Sequence, residues 1–345
     1  AEPRARSLWL FGLLALLAGV VLALAGVALA GRVAPGTAAV QPTTPNVFVP
    51  EASGIWVLRK APGRRLLGAA ALNSNGPILL LGGGGTSGVL GSVQRYDPIS
   101  DTWTELPAKP TPVRDVQAAT LGGKVYVPGG VGADGKPIAA LEIYDLQAKS
   151  WISGPALPAP RSAYGLAVVD GQLYLFGGWD GSAYRDEVLR LDPATGVWSE
   201  QPPMPTKRAY ACVMVVGGSE VYVVGGENSA GALFTNEQYT PANAEQPWQQ
   251  RQPLPAKRSK GGCGVVDSEI GLFGGEGGEG GDNAPLSYDT RSDAWTPLAA
   301  PPETLGIQPA VAYRDGSFYI VGGGSNEAPS DRLYQFRARY TLTPQ

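Results

Sequence analysis

A basic side chain recurs along the chain at nearly even spacing, at Arg65, Arg114, Arg161, Arg208 and Arg258. A guanidinium holds its charge and offers a planar fork of donors, so it pairs with carboxylates, anions or carbonyl oxygens and does not shuttle protons. Acidic residues follow at a related spacing, at Asp134, Asp180, Glu227 and Glu276, and Trp179 and Tyr184 add aromatic surface beside them. Together these side chains could form a charged face for an acidic protein segment or an anionic sugar, with the aromatic rings as stacking groups. The competing reading is that each Arg pairs with nearby backbone or carboxylate and only fixes the fold.

Histidine is absent from all 345 residues. This removes Ser-His-Asp and Cys-His nucleophile systems, His-ligated zinc and the proton switch nearest neutral pH. No catalytic constellation assembles from what remains, so the expectation is a protein that is not an enzyme and holds no cofactor or metal. The two cysteines, Cys212 and Cys263, read as buried free thiols, with a disulfide as the alternative in an oxidising compartment. Gly130 to Pro137, "GVGADGKP", has the spacing of a phosphate loop but carries Pro137 where Ser or Thr should bind magnesium, and reads as a hairpin loop. Glu276, Glu279 and Asp282 lack the alternating spacing of a calcium loop.

These residues sit on a repeat. Paired glycines after an apolar run begin at Gly82, Gly129, Gly177, Gly225, Gly274 and Gly322, spaced 47, 48, 48, 49 and 48 apart. Tryptophans at Trp56, Trp103, Trp151, Trp198, Trp248 and Trp295 keep the same period. Between the two series lie Tyr96, Tyr144, Leu191, Tyr239, Tyr288 and Phe336, placed as strand-borne core residues. Each unit holds about four short strands, and six such units read as blades. The series are out of phase at the chain ends, because Trp56 precedes the first glycine pair and no Trp follows Gly322. Closure into a ring would place the Trp56 strand on the outer edge of the blade that contains Gly322, which removes exposed sheet edges.

On these residues the chain resembles the kelch-repeat family of β-propellers over roughly residues 55 to 340. "PRSAYGLAVVDGQLYLFGG" followed by "VLRLDP" and "W" carries the likeness in the third unit, and "KVYVPGG", "LEIYDL" and "W" in the second. The resemblance implies an all-β, six-bladed propeller over residues 55–345. It also implies that the recurring Arg and the loops after the glycines share one face. It says little about activity, since propellers host many unrelated functions. Galactose oxidase, a kelch enzyme, uses histidine ligands that are missing here, while an enzyme resembling the kelch sialic acid mutarotases needs none. After Phe336 the sequence "RARYTLTPQ" lacks the repeat's turn and Trp, and its position is left open.

The first 54 residues differ in kind. Leu8 to Ala30 contains no charge, and as a helix it would span roughly 34 Å, enough for a bilayer. Residues 1–30 are therefore expected to carry one transmembrane helix at 8–30, with 31–54 as a Pro-rich linker. Arg4 and Arg6 before the run favour a cytoplasmic N-terminus, which puts the propeller on the periplasmic or extracellular side. "ALA" at Ala28 to Ala30 leaves a cleaved signal peptide as the rival reading. Gly12, Gly19 and Gly26 form one helical stripe, widened by Ala15, Ala23 and Ala30, of the kind that packs against another membrane helix.

A net charge of −3 and the lack of a basic stripe argue against nucleic acid. The expected partner is a membrane protein complex, engaged through the helix stripe and the charged propeller face. A carbohydrate ligand and a mutarotase-like enzyme are the alternatives.

Overall fold

Six four-stranded antiparallel sheets account for nearly all of the strands. They are seen in a computed structural model that describes residues 53–339, apart from 65, 74–75, 87 and 278–282. The expected membrane helix at 8–30, with its glycine and alanine stripe, lies outside the described residues, as does the linker up to residue 52. A strand already begins at Ser53, two residues before the expected boundary. Among the described residues no helix is long and apolar enough to cross a membrane.

Each blade runs outward from an innermost strand, and the six innermost strands are Ala70–Asn73, Ala119–Leu121, Gly165–Val169, Cys212–Val216, Gly262–Val266 and Pro309–Arg314. Blade 6 is closed by both ends of the chain: Ser53–Arg59 pairs antiparallel with Leu333–Arg339, outside Ser317–Gly322 and Pro309–Arg314. The expected mixed closure is therefore present. The segment after Phe336 continues this outer pairing as far as Arg339.

The aromatic series explains the period. Trp103, Trp151, Trp198, Trp248 and Trp295 each lie directly across the ladder from Tyr96, Tyr144, Leu191, Tyr239 and Tyr288. Trp56 lies across from Phe336 in the same relation. The Tyr, Leu and Phe members are all buried, and they pack between blades: Tyr96 meets Tyr319, and Phe273 meets both Phe318 and Phe336. The core is thus a set of apolar wedges between neighbouring sheets, which is what holds the blades in a ring.

The glycine pairs mark the tightest contact between blades. Gly129 has φ +63°, and a Cβ there would stand 2.2 Å from the carbonyl oxygen of Arg161 in the next blade. The following amide, that of Gly130, donates to the same oxygen at 2.8 Å. Only a residue without a side chain permits that approach.

Candidate functional site

The second glycine of every pair bonds the next blade in this way, its amide donating to the carbonyl of Val113, Arg161, Arg208, Arg258, Gly306 or Leu66. These bonds set the true register of the repeat. Arg161, Arg208 and Arg258 are equivalent, whereas Arg114 stands one residue later than its counterpart Val113. Blade 6 carries Gly306 at this place, and Arg65 lies outside the described residues. The basic series expected from spacing is therefore not one ring.

Its three equivalent members are also buried. Arg161 donates to the carbonyl of Gly177 and to Glu187, and Arg258 to the carbonyl of Ala284. Arg208 donates to the carbonyls of Thr206 and Gly225. Its Nη2 lies 2.6 Å from Glu237 Oε2, with side chains only 1% and 0% exposed, a charge contact outside hydrogen-bond alignment. Burial lowers the Arg208 guanidinium from its usual value, and Glu237 opposes that shift. These arginines fasten strands and loops, and they are not available to a partner.

Two residues further along, the chain enters each innermost strand at Gly68, Asp115, Ala163, Tyr210, Lys260 and Gln308. All six have left-handed backbone, with φ between 51° and 65°. Five amide-to-carbonyl bonds join them around the axis: Gly68 to Gln308 (3.3 Å), Gln308 to Lys260 (2.7 Å), Lys260 to Tyr210 (3.2 Å), Tyr210 to Ala163 (2.8 Å) and Ala163 to Asp115 (2.8 Å). A left-handed non-glycine residue costs on the order of 1–3 kcal/mol, so the belt of bonds must over-determine this conformation. The result is a fixed collar at one mouth of the axial channel.

The collar's side chains form a polar cluster. The carboxyl of Asp115 is almost wholly buried and accepts from Gln308 Nε2 at 2.6 Å, from the Tyr210 hydroxyl at 3.4 Å and from the Arg114 guanidinium. Burial raises this carboxyl above its usual range, opposed mainly by the charge of Arg114. Lys260 Nζ lies 2.5 Å from Glu276 and 3.4 Å from Glu227, and 5.3 Å above the Tyr210 ring. Burial alone would lower the Lys260 ammonium, but the bonds and charges of Glu276 and Glu227 outweigh it and the ammonium titrates above its usual value. The Tyr210 phenol is raised by burial, with the Asp115 and Glu227 charges adding to it.

Of the side chains singled out from sequence, Arg114, Glu227, Glu276 and Tyr184 converge here, the Tyr184 hydroxyl reaching Glu227 at 3.4 Å. Trp179 packs edge-on against Tyr184, ring centroids 5.0 Å apart, in the hairpin of blade 3, whose strands Gln172–Trp179 and Tyr184–Asp192 are the longest in the ring among the described residues. Asp180 turns back on its own loop, accepting from the amides of Ser182 and Ala183 at 2.7 Å and from Arg185 at 2.6 Å. Asp134 accepts from the amide of Lys136 and stays exposed. Both acids shape turns and stand apart from the cluster. Sequence reasoning missed Asp115, Tyr210, Lys260 and Gln308. Their signal was present, since each lies 14 or 15 residues before a glycine pair, but mixed residue types hid it.

Behind the collar the channel opens into a cavity of about 310 Å³, walled by small residues such as Ala71, Gly165, Val213 and Gly264. Cys212 and Cys263 also line it, and they are joined as a disulfide with Cα atoms 5.9 Å apart. The expectation of free thiols is thereby corrected. Spacing alone could not reveal the pairing, because it depends on how the innermost strands of blades 4 and 5 converge at the axis. Among the described residues no group of acidic or sulfur ligands could hold a metal ion.

The loops after the glycine pairs share the collar's face, as the bridges of Arg114 with Val131, Ser162 with Trp179, Ala209 with Glu227 and Ser259 with Glu276 require. Leu333 follows the blade 6 loop on this face, and the register pairs Leu333 with Arg59 and Arg339 with Ser53. The chain therefore enters the ring at Ser53 on the side away from the mouth.

Comparison with known proteins gives the same architecture. Residues 51–226 match the family model described as the KLHDC2/KLHL20/DRC7 Kelch-repeats domain. Kelch-like protein 7 of Rattus norvegicus is 37% identical over 262 residues, covering 74% of this chain and 43% of that protein. Kelch-like protein 34 of Homo sapiens is 31% identical over 288 residues, covering 76% and 43%. Kelch-like protein terF of Aspergillus terreus is 32% identical over 161 residues, covering 42% and 34%. The chain spans less than half the length of these relatives. A solved structure, that of YjhT, superposes with a TM-score of 0.68 at 17% identity, over 80% of this chain and 95% of that one, and so shares the fold. With its family model matched across half the chain and its glycine and tryptophan series closed into six blades, this protein belongs to the kelch-repeat family of β-propellers.

Proposed function

We propose that this propeller is an extracytoplasmic interaction module, held to the membrane by its N-terminal segment and acting as an accessory subunit of a membrane protein complex. The observation that carries this reading is the mouth cluster, which lies at the opposite end of the blades from Ser53, where the first described strand begins. Lys260, Glu227, Glu276, Arg114 and Tyr184 bring charge of both signs and a phenol to one rim. A partner offering complementary charges could exchange for these internal pairs, which favours selective, electrostatically steered docking. The uncharged run from Leu8 to Ala30 supports the anchor. The Cys212–Cys263 disulfide supports an oxidising location for the propeller. The test is protease accessibility in sealed native membrane vesicles of known orientation. Cleavage of the propeller only from the non-cytoplasmic side supports the reading, and cleavage from the cytoplasmic side refutes it.

A second reading is favoured by one observation, the buried Asp115 carboxyl facing Tyr210 and Gln308 at the entrance of a cavity of about 310 Å³. A carboxyl held above its usual range beside a phenol can exchange a proton with a bound ligand. Arg114 beside this carboxyl completes the Arg and carboxylate pair at a channel mouth that a mutarotase-like enzyme would need. Calorimetric titration with neutral and acidic monosaccharides separates the readings, since binding abolished by Asp115→Asn would favour the second.

A further inference from the structure

We propose that the Cys212–Cys263 disulfide is a thiol-exchange site entered through the channel, open to low-molecular-weight thiols and closed to protein thiols. Both cysteines sit on innermost strands and line the cavity behind the collar. Cys212 is buried at 4% exposure, while Cys263 is partly exposed. The remaining faces of these strands are covered by their own sheets and by the apolar wedge between blades 4 and 5. The axial cavity is thus the route of approach, and at about 310 Å³ it matches a small thiol better than a thiol carried on a folded protein.

The exchange balances with a small thiol as reductant. Its thiolate sulfur bonds to Cys263 Sγ, the Cys212–Cys263 bond breaks, and the electron pair leaves on Cys212 Sγ, which takes a proton. A second thiolate attacks the sulfur of the bound small thiol, freeing Cys263 and releasing the small-molecule disulfide. The Lys260 ammonium, held by Glu276 and Glu227, lies three residues before Cys263 at the mouth, so an entering thiol passes this charged rim before it reaches the disulfide.

Exchange would also act on the mouth. Tyr210 and Lys260 precede the two cysteines by two and three residues. The collar bond between them, from the Lys260 amide to the Tyr210 carbonyl at 3.2 Å, crosses the seam that the disulfide locks. Opening the disulfide should loosen this seam and leave the collar bond from Ala163 to Asp115 in place.

The test treats the folded full-length protein in mild detergent with glutathione, and separately with a thioredoxin-type protein reductant at matched reducing potential. Free thiols are trapped by alkylation and counted by intact mass. Reduction by glutathione should exceed the rate of global unfolding, and doubling its concentration should double the rate, while the protein reductant gives no labelling in the same interval. Glutathione reduction no faster than unfolding, or equal reduction by the protein reductant, overturns the proposal. After reduction, hydrogen exchange at the Lys260 amide should rise while that at Ala163 is unchanged. Equal exchange at Lys260 before and after reduction overturns the coupling to the mouth. None of these outcomes depends on the membrane anchor or on the partner.

Discussion

Trp56 donates its indole N–H to the carbonyl oxygen of Ala299, 3.0 Å away and 243 positions along the chain. The other five tryptophans of the series make the same bond to a carbonyl only 43 to 46 positions away, Trp103 to Lys60, Trp151 to Pro107, Trp198 to Pro155, Trp248 to Pro202 and Trp295 to Gln252. In the ring all six bonds join one blade to its neighbour, so Trp56 supplies across the termini what the others supply within the chain.

Trp56 also packs against Phe273, Tyr334 and Phe336. Trp56→Phe keeps most of that contact and loses the bond, and should cost about 1 kcal/mol of stability. Trp56→Ala loses both and should cost about 3–5 kcal/mol. Urea titration of both variants measures the difference, and equal costs would mean that packing at the closure is negligible.

Arg208 and Glu237 test whether the recurring arginines are structural. Arg208→Met leaves Glu237 buried without its cation and should cost about 3–5 kcal/mol, while Arg208→Met combined with Glu237→Leu should recover most of that loss. A double-mutant cycle followed by thermal unfolding provides the number. If Arg208→Met instead leaves stability intact, the side chain does not fasten the blade.

Asp115 should give the protein a pH signature. Its folded carboxyl titrates above the ordinary value of 3.8, with burial the largest cause. Its contribution is therefore favourable below the unfolded value and is lost as pH rises through the folded one. Asp115→Asn removes this titration, so the stability of the wild type relative to the variant should fall as pH climbs upward from 3.8. Denaturation curves across the acid range check the slope, and a relative stability that rises over this range contradicts the burial account.

The disulfide closes a long loop, its cysteines 51 positions apart. Replacing both by Ser should lower stability by about 4 kcal/mol on the chain-entropy view. Calorimetry of the double variant against the reduced wild type would show whether the loss belongs to the bond or to the serines.

Much of the ring was legible because its causes are local. A glycine must stand where Gly129 meets the Arg161 carbonyl, and an aromatic ring must face Tyr144 or Phe336 across a ladder, so residue type and period coincide. The mouth was harder to read. Asp115, Tyr210, Lys260 and Gln308 share a backbone conformation and a collar bond but no side-chain type, and the collar is set by the backbone. Arg114 and Arg161 look like one series in the sequence, yet a shift of one residue puts the first on the rim and the second in the core. Cys212 and Cys263 meet only because two innermost strands converge at the axis, a relation between blades that a period does not contain.

The role assigned to the mouth is tested most directly by co-purification of the full-length protein from its native membranes in mild detergent. Lys260→Glu reverses the charge between Glu227 and Glu276, and Val197→Glu places a new carboxylate on the exposed outer strand of blade 3 as a control for an added acid away from the mouth. With both variants matched to the wild type in thermal stability, the account predicts that Lys260→Glu releases the partner subunits that the wild type and Val197→Glu retain. Retention of the same partners by Lys260→Glu would contradict it.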